Sequence, residues 1–300
     1  VLNNMTDEKG GFYSAEDADS EGEEGTFYIW ESSDLKKILS SEEYNFISSV
    51  LNITDDGNCR VEGHKTNIPH FTNNWGEIFK QYNHFNFSNE NDLIDYYHTL
   101  RKKIYLERNK RVHPQKDDKI LTDWNGLMIA ALARSGVILD DEKYLLAAKN
   151  SADFIINNLI DDKGVLLKRH RNGKSGINGM IEDYAFFIWG LIELYQASFD
   201  TKYLETAADL SDYQIAHFWD FQNHGFYFIS DESEELIVRS KEIYDGAIPS
   251  GNSVSAYNFI RLSHMVSRPD FEDTAYKILR KIKATDCDPR SYGFNRTDDD

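Results

Sequence analysis

The 300-residue sequence predicts a mainly α fold, an (α/α) toroid of antiparallel helical hairpins with short β-excursions at one end. Three patterns predict it. Apolar residues recur at helical spacing through most of the chain. Short and long connections alternate in the second half of the sequence. Each long connection contains a glycine that is followed by an aromatic or β-branched run.

Eight segments have the apolar spacing of an amphipathic helix, so each is predicted to be helical. They are residues 35–51, 93–111, 124–139, 143–160, 184–199, 202–219, 253–265 and 271–282. The last six pair across short turns and are separated by long connections at 161–181 and 221–249. A repeat of roughly 60 to 68 residues with this alternation indicates successive helical hairpins.

The β-excursions follow glycines at 163–167 and 224–228, and a third copy stands at 10–13. Such runs are typical of short strands. Helix pairs must stack to bury their apolar faces, either as an open solenoid or as a closed ring. The small residues Ala130, Ala131 and Ala133 suit an inner wall, and we therefore favour the ring.

Composition restricts the partners. The chain has 33 basic against 51 acidic residues and a net charge of −18, which repels polyanions, so we expect no nucleic-acid partner. We also expect no membrane partner, because the longest apolar runs are shorter than a membrane span. Cys59 and Cys287 form no CxxC motif and indicate a reducing compartment, the cytoplasm. No metal-ligand or dinucleotide motif is present, so we expect no metal and no cofactor.

Three predicted helix starts that follow long connections are rich in polar residues, at 122–125, 182–184 and 245–252. In a ring of hairpins these starts converge at one end. One interpretation is N-capping, because Asp, Asn and Ser accept backbone N–H bonds there. The other is a sugar site, because Trp124 and Tyr184 stand beside carboxylates, and sugars need both stacking faces and acid/base groups.

The sugar interpretation assigns Asp123, Asp183 and Glu182 as candidate catalytic carboxyls. The candidate substrate-binding residues are Trp124, Asn125, Tyr184, Arg169, Arg239, Asp245 and Asn252. The two arginines would steady an anionic substituent. A hydrolase would need two carboxyls about 5 to 9.5 Å apart, neither of them buried in a helix cap.

Two charged segments have competing interpretations. Residues 17–23 resemble the first half of a calcium loop, but Tyr28 stands where such a loop needs Glu, so we favour a solvated acidic loop. The basic string 168–171 with Lys174 is either a solvated face or an anion clamp, and we favour the solvated face.

Four longer strings, at 10–20, 117–127, 182–186 and 245–254, resemble the YyaL family, the spermatogenesis-associated protein 20 type of thioredoxin-domain protein. The resemblance implies a thioredoxin-like domain followed by a helical barrel similar to six-hairpin glycosidases and N-acylglucosamine 2-epimerases. It implies that residues 1–284 are the barrel, with some hairpins missing, and that the thioredoxin-like domain is a partner elsewhere in a longer chain. Residues 285–300 form an unassigned tail.

Two functions compete. The first is a carbohydrate-active barrel that binds or transforms a small sugar as an epimerase, isomerase or hydrolase. Paired histidines of the epimerase type have no clear counterparts here, which counts against epimerisation. The second is a non-catalytic module that binds a protein or peptide and presents it to the thioredoxin-like domain. An acidic rim formed by Glu16, Asp17, Asp19, Glu21 and Glu23 around a shallow concavity would support it. Whether the chain is an enzyme stays open at this stage.

Overall fold

The computed structural model describes residues 1–61, 63–82, 87–233 and 237–286, with side chains described as far as residue 283. Within 1–284, where we expected one helical-hairpin domain, the chain divides into two compact units. The hairpin unit comprises Val1–Ala15 and Asp118–Asp300, and the inserted unit comprises Glu16–Asp117. Most of the predicted tail, from residue 287 onward, lies outside the described residues.

The strands and helices are numbered in chain order. The strands are β1 (Tyr13–Glu16), β2 (Asp19–Ser20), β3 (Glu23–Glu24), β4 (Cys59–Val61), β5 (His64–Thr66), β6 (Lys116–Leu121), β7 (Leu167–Arg171) and β8 (Lys174–Asn178). The helices are α1 (Ser32–Ile38), α2 (Ser41–Val50), α3 (Trp75–Gln81), α4 (Glu90–Arg108), α5 (Thr122–Leu139), α6 (Glu142–Asn158), α7 (Ile181–Ser198), α8 (Thr201–Phe218), α9 (Gly251–Met265) and α10 (Pro269–Asp286). The predicted mainly α fold with successive antiparallel helical hairpins is confirmed for the described chain.

Helices α4 to α10 begin and end within a few residues of the predicted segments. The single helix predicted over 35–51 is wrong, because the chain forms α1 and α2 there. The Ser40 hydroxyl accepts the Glu43 N–H, and the Glu43 carboxylate accepts the Ser40 N–H at 2.9 Å. This reciprocal cap starts a new helix in the middle of the apolar pattern. Helix α3 was not predicted.

In the described part of the hairpin unit, helices α5 to α10 form three hairpins. Each of α5, α7 and α9 packs against the helix that follows it, and α7 also packs against α5 and α9. Helices α5 and α7 approach closely at two glycines: a Cβ on Gly126 would lie 2.5 Å from the Phe186 backbone, and a Cβ on Gly190 would lie 2.7 Å from the Gly126 carbonyl oxygen. Ala130 and Ala133 are buried in α5 as expected for an inner wall, whereas Ala131 is exposed.

The β-excursions lead into a small sheet with the strand order β1-β6-β7-β8. Strand β7 pairs antiparallel with β6, with Leu121 opposite Arg169. Two of the three predicted excursions therefore continue into strands. The third forms a single bridge, between Trp219 and Phe226. The sheet places β7 beside the start of α5, which directly follows β6.

Candidate functional site

The predicted convergence of helix starts is observed in the hairpin unit. The Asp123 N–H in the first turn of α5 donates to the Asp183 carboxylate in the first turn of α7, at 3.2 Å. The start of α9 adjoins that of α7, because a Cβ on Gly251 would lie 2.8 Å from the Ile181 side chain. The polar helix starts predicted from the sequence are thereby brought to one end of the unit.

A lysine from β7 joins two of the predicted carboxylates. The Lys168 ammonium lies 3.2 Å from Asp123 Oδ2 and 3.4 Å from Asp183 Oδ2. The side chains are 23% exposed for Lys168, 9% for Asp123 and 0% for Asp183. One cation thus serves two carboxylates in a place that water barely reaches, and ionisation of both carboxylates would leave one excess negative charge.

The surroundings shift the proton affinities of three polar groups at this place. Burial, and then the charge of Asp123, raise the pKa of Asp183 to about 7 despite the nearby Lys168 and two backbone N–H donors. Burial lowers the pKa of Lys168, but the two carboxylates outweigh burial and the net shift is upward. Burial and the Asp123 charge also raise the pKa of Glu182, which is only partly buried. Asp183, in the first turn of α7, therefore keeps its proton up to a pH of about 7.

Asp183 caps α7, and we revise its predicted catalytic role. Its carboxylate accepts the Met180 N–H at 2.8 Å as well as the Asp123 N–H, and the side chain has no exposed surface. A substrate cannot reach a carboxyl in this position unless the cap opens. For Asp183 the capping interpretation therefore describes the structure. Its carboxylate holds Lys168 and the backbone of Asp123 in position.

The side chains of Asn125 and Asn252 bind backbone groups and do not line an open pocket. The side-chain amide of each asparagine pairs with the backbone of one β-excursion residue, Phe12 for Asn125 and Phe226 for Asn252. In both cases the amide oxygen accepts the backbone N–H at 2.7 Å, and the amide nitrogen donates to the backbone carbonyl at 3.0 Å. Both asparagines are buried. We therefore revise their predicted substrate-binding role. Each asparagine is a clasp, by which we mean a side chain that fixes a β-excursion to the first turn of a helix, α5 for Asn125 and α9 for Asn252.

Tyr184 performs a related task on the middle excursion. Its hydroxyl accepts the Leu166 N–H at 3.0 Å, and its ring stacks on Tyr213 with an interplanar angle of 3°. The residue is fully buried, so no ring face is left for a sugar. The predicted stacking role is revised accordingly. The signal that could have identified these clasps is their repetition: each lies in the first turn of a helix and binds a residue one or two positions after an excursion glycine.

Three further predicted binding residues lie apart from the carboxylates or are engaged elsewhere. Arg169 is exposed, and strand alternation puts it on the face of β7 opposite to Lys168. The Arg239 guanidinium donates to the carbonyls of His217 and Ile229. Asp245 is exposed, and it accepts the Ser250 N–H at 2.8 Å just before α9. None of these contacts brings an anion-binding group to the carboxylates.

Lys168 was assigned to the wrong environment by sequence reasoning. We favoured a solvated face for the basic string, but Lys168 lies among carboxylates, while its neighbours Arg169 and Arg171 are exposed. The usable signal was its place on a short strand whose alternate residues face opposite sides.

We call the group formed by Asp123, Trp124, Lys168, Glu182 and Asp183 the α5/α7 site.

Trp124 and Glu182 are the parts of the α5/α7 site that solvent reaches most easily. Trp124 is 48% exposed, and its backbone N–H donates to the Asp123 carboxylate at 2.9 Å, which fixes the backbone at this position. Glu182 is partly exposed. The α5/α7 site therefore contains an exposed indole ring and a partly exposed carboxyl with a raised pKa.

Within the described ranges, no three His, Cys, Asp or Glu side chains are placed to hold a metal ion. In the same part of the chain, no helix combines the length and apolar character needed to cross a bilayer.

No family model matches the chain. Spermatogenesis-associated protein 20 of Rattus norvegicus is 32% identical over 312 residues, which cover 93% of this chain and 39% of that protein. The Homo sapiens protein of the same name is 31% identical over 314 residues, with the same two coverages. An uncharacterized protein of Caenorhabditis elegans is 27% identical over 310 residues, covering 93% and 41%. The chain spans about two fifths of the length of these curated relatives.

Solved structures with a partial likeness include two proteins named for acting on sugars. The cellobiose 2-epimerase from Spirochaeta thermophila is 14% identical, with a TM-score of 0.47 over 56% of this chain and 44% of that one. A family 76 glycoside hydrolase from a bovine Bacteroides thetaiotaomicron strain is 18% identical, with a TM-score of 0.46 over 57% and 36%.

Proposed function

We propose that this chain, which is homologous to spermatogenesis-associated protein 20, binds a small sugar at the α5/α7 site. The observation that carries the proposal is that the exposed Trp124 directly follows Asp123, the ion-pair partner of Lys168, in a site that also contains the partly exposed Glu182. An indole face packs against the C–H face of a sugar ring, while carboxylates and an ammonium bind its hydroxyl groups. All of these groups stand at one end of the hairpin unit.

The polar groups of the α5/α7 site are already held in place before a ligand arrives. Lys168 is fixed between Asp123 and Asp183, and Asp183 is itself fixed by two backbone N–H groups. Binding therefore requires little ordering of side chains, which favours affinity for a small ligand.

Glu182 is the carboxyl that we propose for acid/base chemistry. Its raised pKa lets it keep a proton at higher pH than an ordinary glutamate, and it is more exposed than Asp183. Asp123, next to Lys168, is the second carboxyl of the proposed pair. Epimerase, isomerase and hydrolase reactions all need such a proton donor and acceptor. Activity assays with the bound sugar would distinguish among these three reactions.

The longer protein is a separate proposal. The family resemblance leads us to expect a thioredoxin-like domain as the partner of this chain in a longer polypeptide. We also propose a cytoplasmic location, in agreement with a sequence that has two cysteines and no CxxC motif.

A thermal-shift screen of the 300-residue chain against neutral sugars, amino sugars and uronates tests the binding proposal. We expect a saturable shift with at least one sugar, lost in Trp124→Ala and weakened several-fold in Glu182→Gln. Phe221→Ala is the matched control, because Phe221 is an exposed aromatic residue elsewhere in the hairpin unit. A flat screen, or an equal loss in Phe221→Ala, would contradict the proposal.

A non-catalytic protein-binding module is the second candidate. The observation that favours it is a set of exposed apolar side chains at the short turns, with Ile138 and Leu139 in the last turn of α5 and Phe199 directly after α7. Exposed apolar residues that cluster at one place are typical of protein-binding surfaces. These turns are at the opposite ends of α5 and α7 from the α5/α7 site, so a variant in one place leaves the other intact.

A further inference from the structure

The inserted unit contains an acidic cavity that the proposed sugar site does not use. Its volume is about 420 Å³. The residues that matter for its chemistry are Glu21, Glu23, Glu31, Asp34, Thr66 and Arg111. Two of the carboxylates come from the acidic segment 17–23, for which the sugar site offers no role.

A tight hairpin presents the first two carboxylates. Strands β2 and β3 pair with Ser20 opposite Glu23, and Glu21 and Gly22 form the turn with φ values of 58° and 88°. Positive φ at both turn residues is the geometry of a two-residue hairpin turn. The segment that resembled half a calcium loop is therefore an ordered hairpin, and its acidic side chains are set at the cavity.

The carboxylates that line the cavity outnumber the positive charge of Arg111. Its guanidinium donates to the carbonyl oxygens of Phe27 and Ile29 at 3.1 and 2.7 Å and lies 4.0 Å from the centre of the Trp30 ring. Asp34 is paired with Lys37. In the part of the chain that the structure describes, Glu21, Glu23 and Glu31 form no ion pair, so the cavity keeps a net negative charge.

A buried hydroxyl at the same cavity lacks a hydrogen bond. Thr66 is 4% exposed, and its Oγ1 has no partner among the described residues. Buried hydroxyl groups are normally hydrogen-bonded, and an unpaired one lowers stability. A ligand that donates an N–H to Oγ1 and carries positive charge would satisfy both the hydroxyl and the carboxylates.

A metal ion fits this place less well than an organic cation. No three carboxylate, histidine or cysteine side chains of the described residues are close enough together to hold a metal. A primary ammonium group has three N–H donors that can point to different partners, and its carbon chain occupies additional volume. We propose that the inserted unit binds a primary ammonium group in this cavity, either of a free polyamine or of a lysine side chain.

Calorimetric titration of the 300-residue chain tests the proposal with two probes, spermidine and an acetylated tetralysine peptide. We expect saturable binding of at least one probe. Thr66→Val, which keeps the side-chain shape, and Glu31→Gln should each weaken it at least fivefold. Glu24→Gln is the matched control, because Glu24 is the exposed neighbour of Glu23 outside the cavity lining. It should change the affinity less than twofold.

The outcomes are distinct. Stronger binding of spermidine supports a free polyamine, and stronger binding of the peptide supports a lysine side chain. Equal weakening by Glu24→Gln, or equal binding of tetramethylammonium, which has no N–H donor, would show general charge attraction and overturn the proposal. Absence of saturable binding to a folded chain would also overturn it. Thr66→Val should unfold at the same temperature as the parent or higher, because it removes an unpaired hydroxyl, and so the variant keeps the test valid.

Discussion

At the scale of single residues, the positions near the α5/α7 site were predicted better than their roles. Asp123, Trp124, Glu182 and Asp183 do come together, but Asp183 caps a helix and Lys168 completes the cluster. A sequence pattern shows that a polar residue starts a helix. It does not show whether the side chain turns toward backbone or toward solvent, because that depends on residues 45 to 60 positions away along the chain.

Replacement of Lys168 tests the electrostatics of the cluster. Lys168→Met leaves the Asp123 and Asp183 carboxylates side by side without a cation, so we expect a loss of about 3 kcal/mol in the free energy of unfolding at pH 8. Because the pKa of Asp183 is already raised to about 7, protonation relieves this repulsion as the pH falls. The loss at pH 5 should therefore be less than half of that at pH 8.

Chemical denaturation at both pH values measures this effect. Lys174→Met is the control, because Lys174 is an exposed lysine on the neighbouring strand β8 and should cost less than about 0.5 kcal/mol at either pH. An equal loss at pH 5 and pH 8 for Lys168→Met would mean that the carboxylates do not share this cation.

At the scale of elements, helical periodicity predicted α4 to α10 because each of these helices has a long apolar stripe. Helix α3 has seven residues, too few for a periodic signal. The boundary between α1 and α2 depends on the Ser40–Glu43 cap, and a serine followed three residues later by a glutamate also occurs on the surface of continuous helices. The close approach of α5 and α7 depends on Gly126 and Gly190, and the spacing of apolar residues contains no information about such glycine contacts.

Gly190 provides the element-scale prediction. A Cβ on Gly190 would lie 2.7 Å from the Gly126 carbonyl oxygen and 3.2 Å from Ile129, so Gly190→Ala must push α7 away from α5. We expect a loss of about 2 kcal/mol even though alanine favours a helix more than glycine does. Gly76→Ala in α3 is the control, because its new Cβ would meet neighbours only at ordinary distances, from 3.5 Å. It should be neutral or stabilising in thermal unfolding, and equal losses in the two variants would contradict the close approach.

At the scale of the whole molecule, the sequence predicted the hairpin repeat but not the inserted unit. The repeat is visible because its turns and long connections recur in the second half of the chain. Residues Glu16–Asp117 have no repeat of their own, and their compactness comes from a separate apolar cluster around Phe46, Ile47 and Leu93. Such a unit is defined by contacts between residues that are far apart in sequence. Composition and hydrophobic periodicity contain no information about these contacts.

The two binding proposals also separate at this scale. The sugar site belongs to the hairpin unit and the ammonium cavity to the inserted unit. A variant in one unit should leave the other ligand's affinity unchanged unless the units are energetically coupled.

The measurement that tests the central claim most directly is a titration of the ¹⁵N-labelled chain with the best sugar from the screen, followed by NMR. We expect saturable shifts at the Trp124 indole N–H and at the backbone amides in the first turns of α5 and α7. The amides of Ile138, Leu139 and Phe199 should not move. Shifts confined to those three turn residues, or no shift at Trp124 with a folded spectrum, would contradict a sugar site at the α5/α7 site.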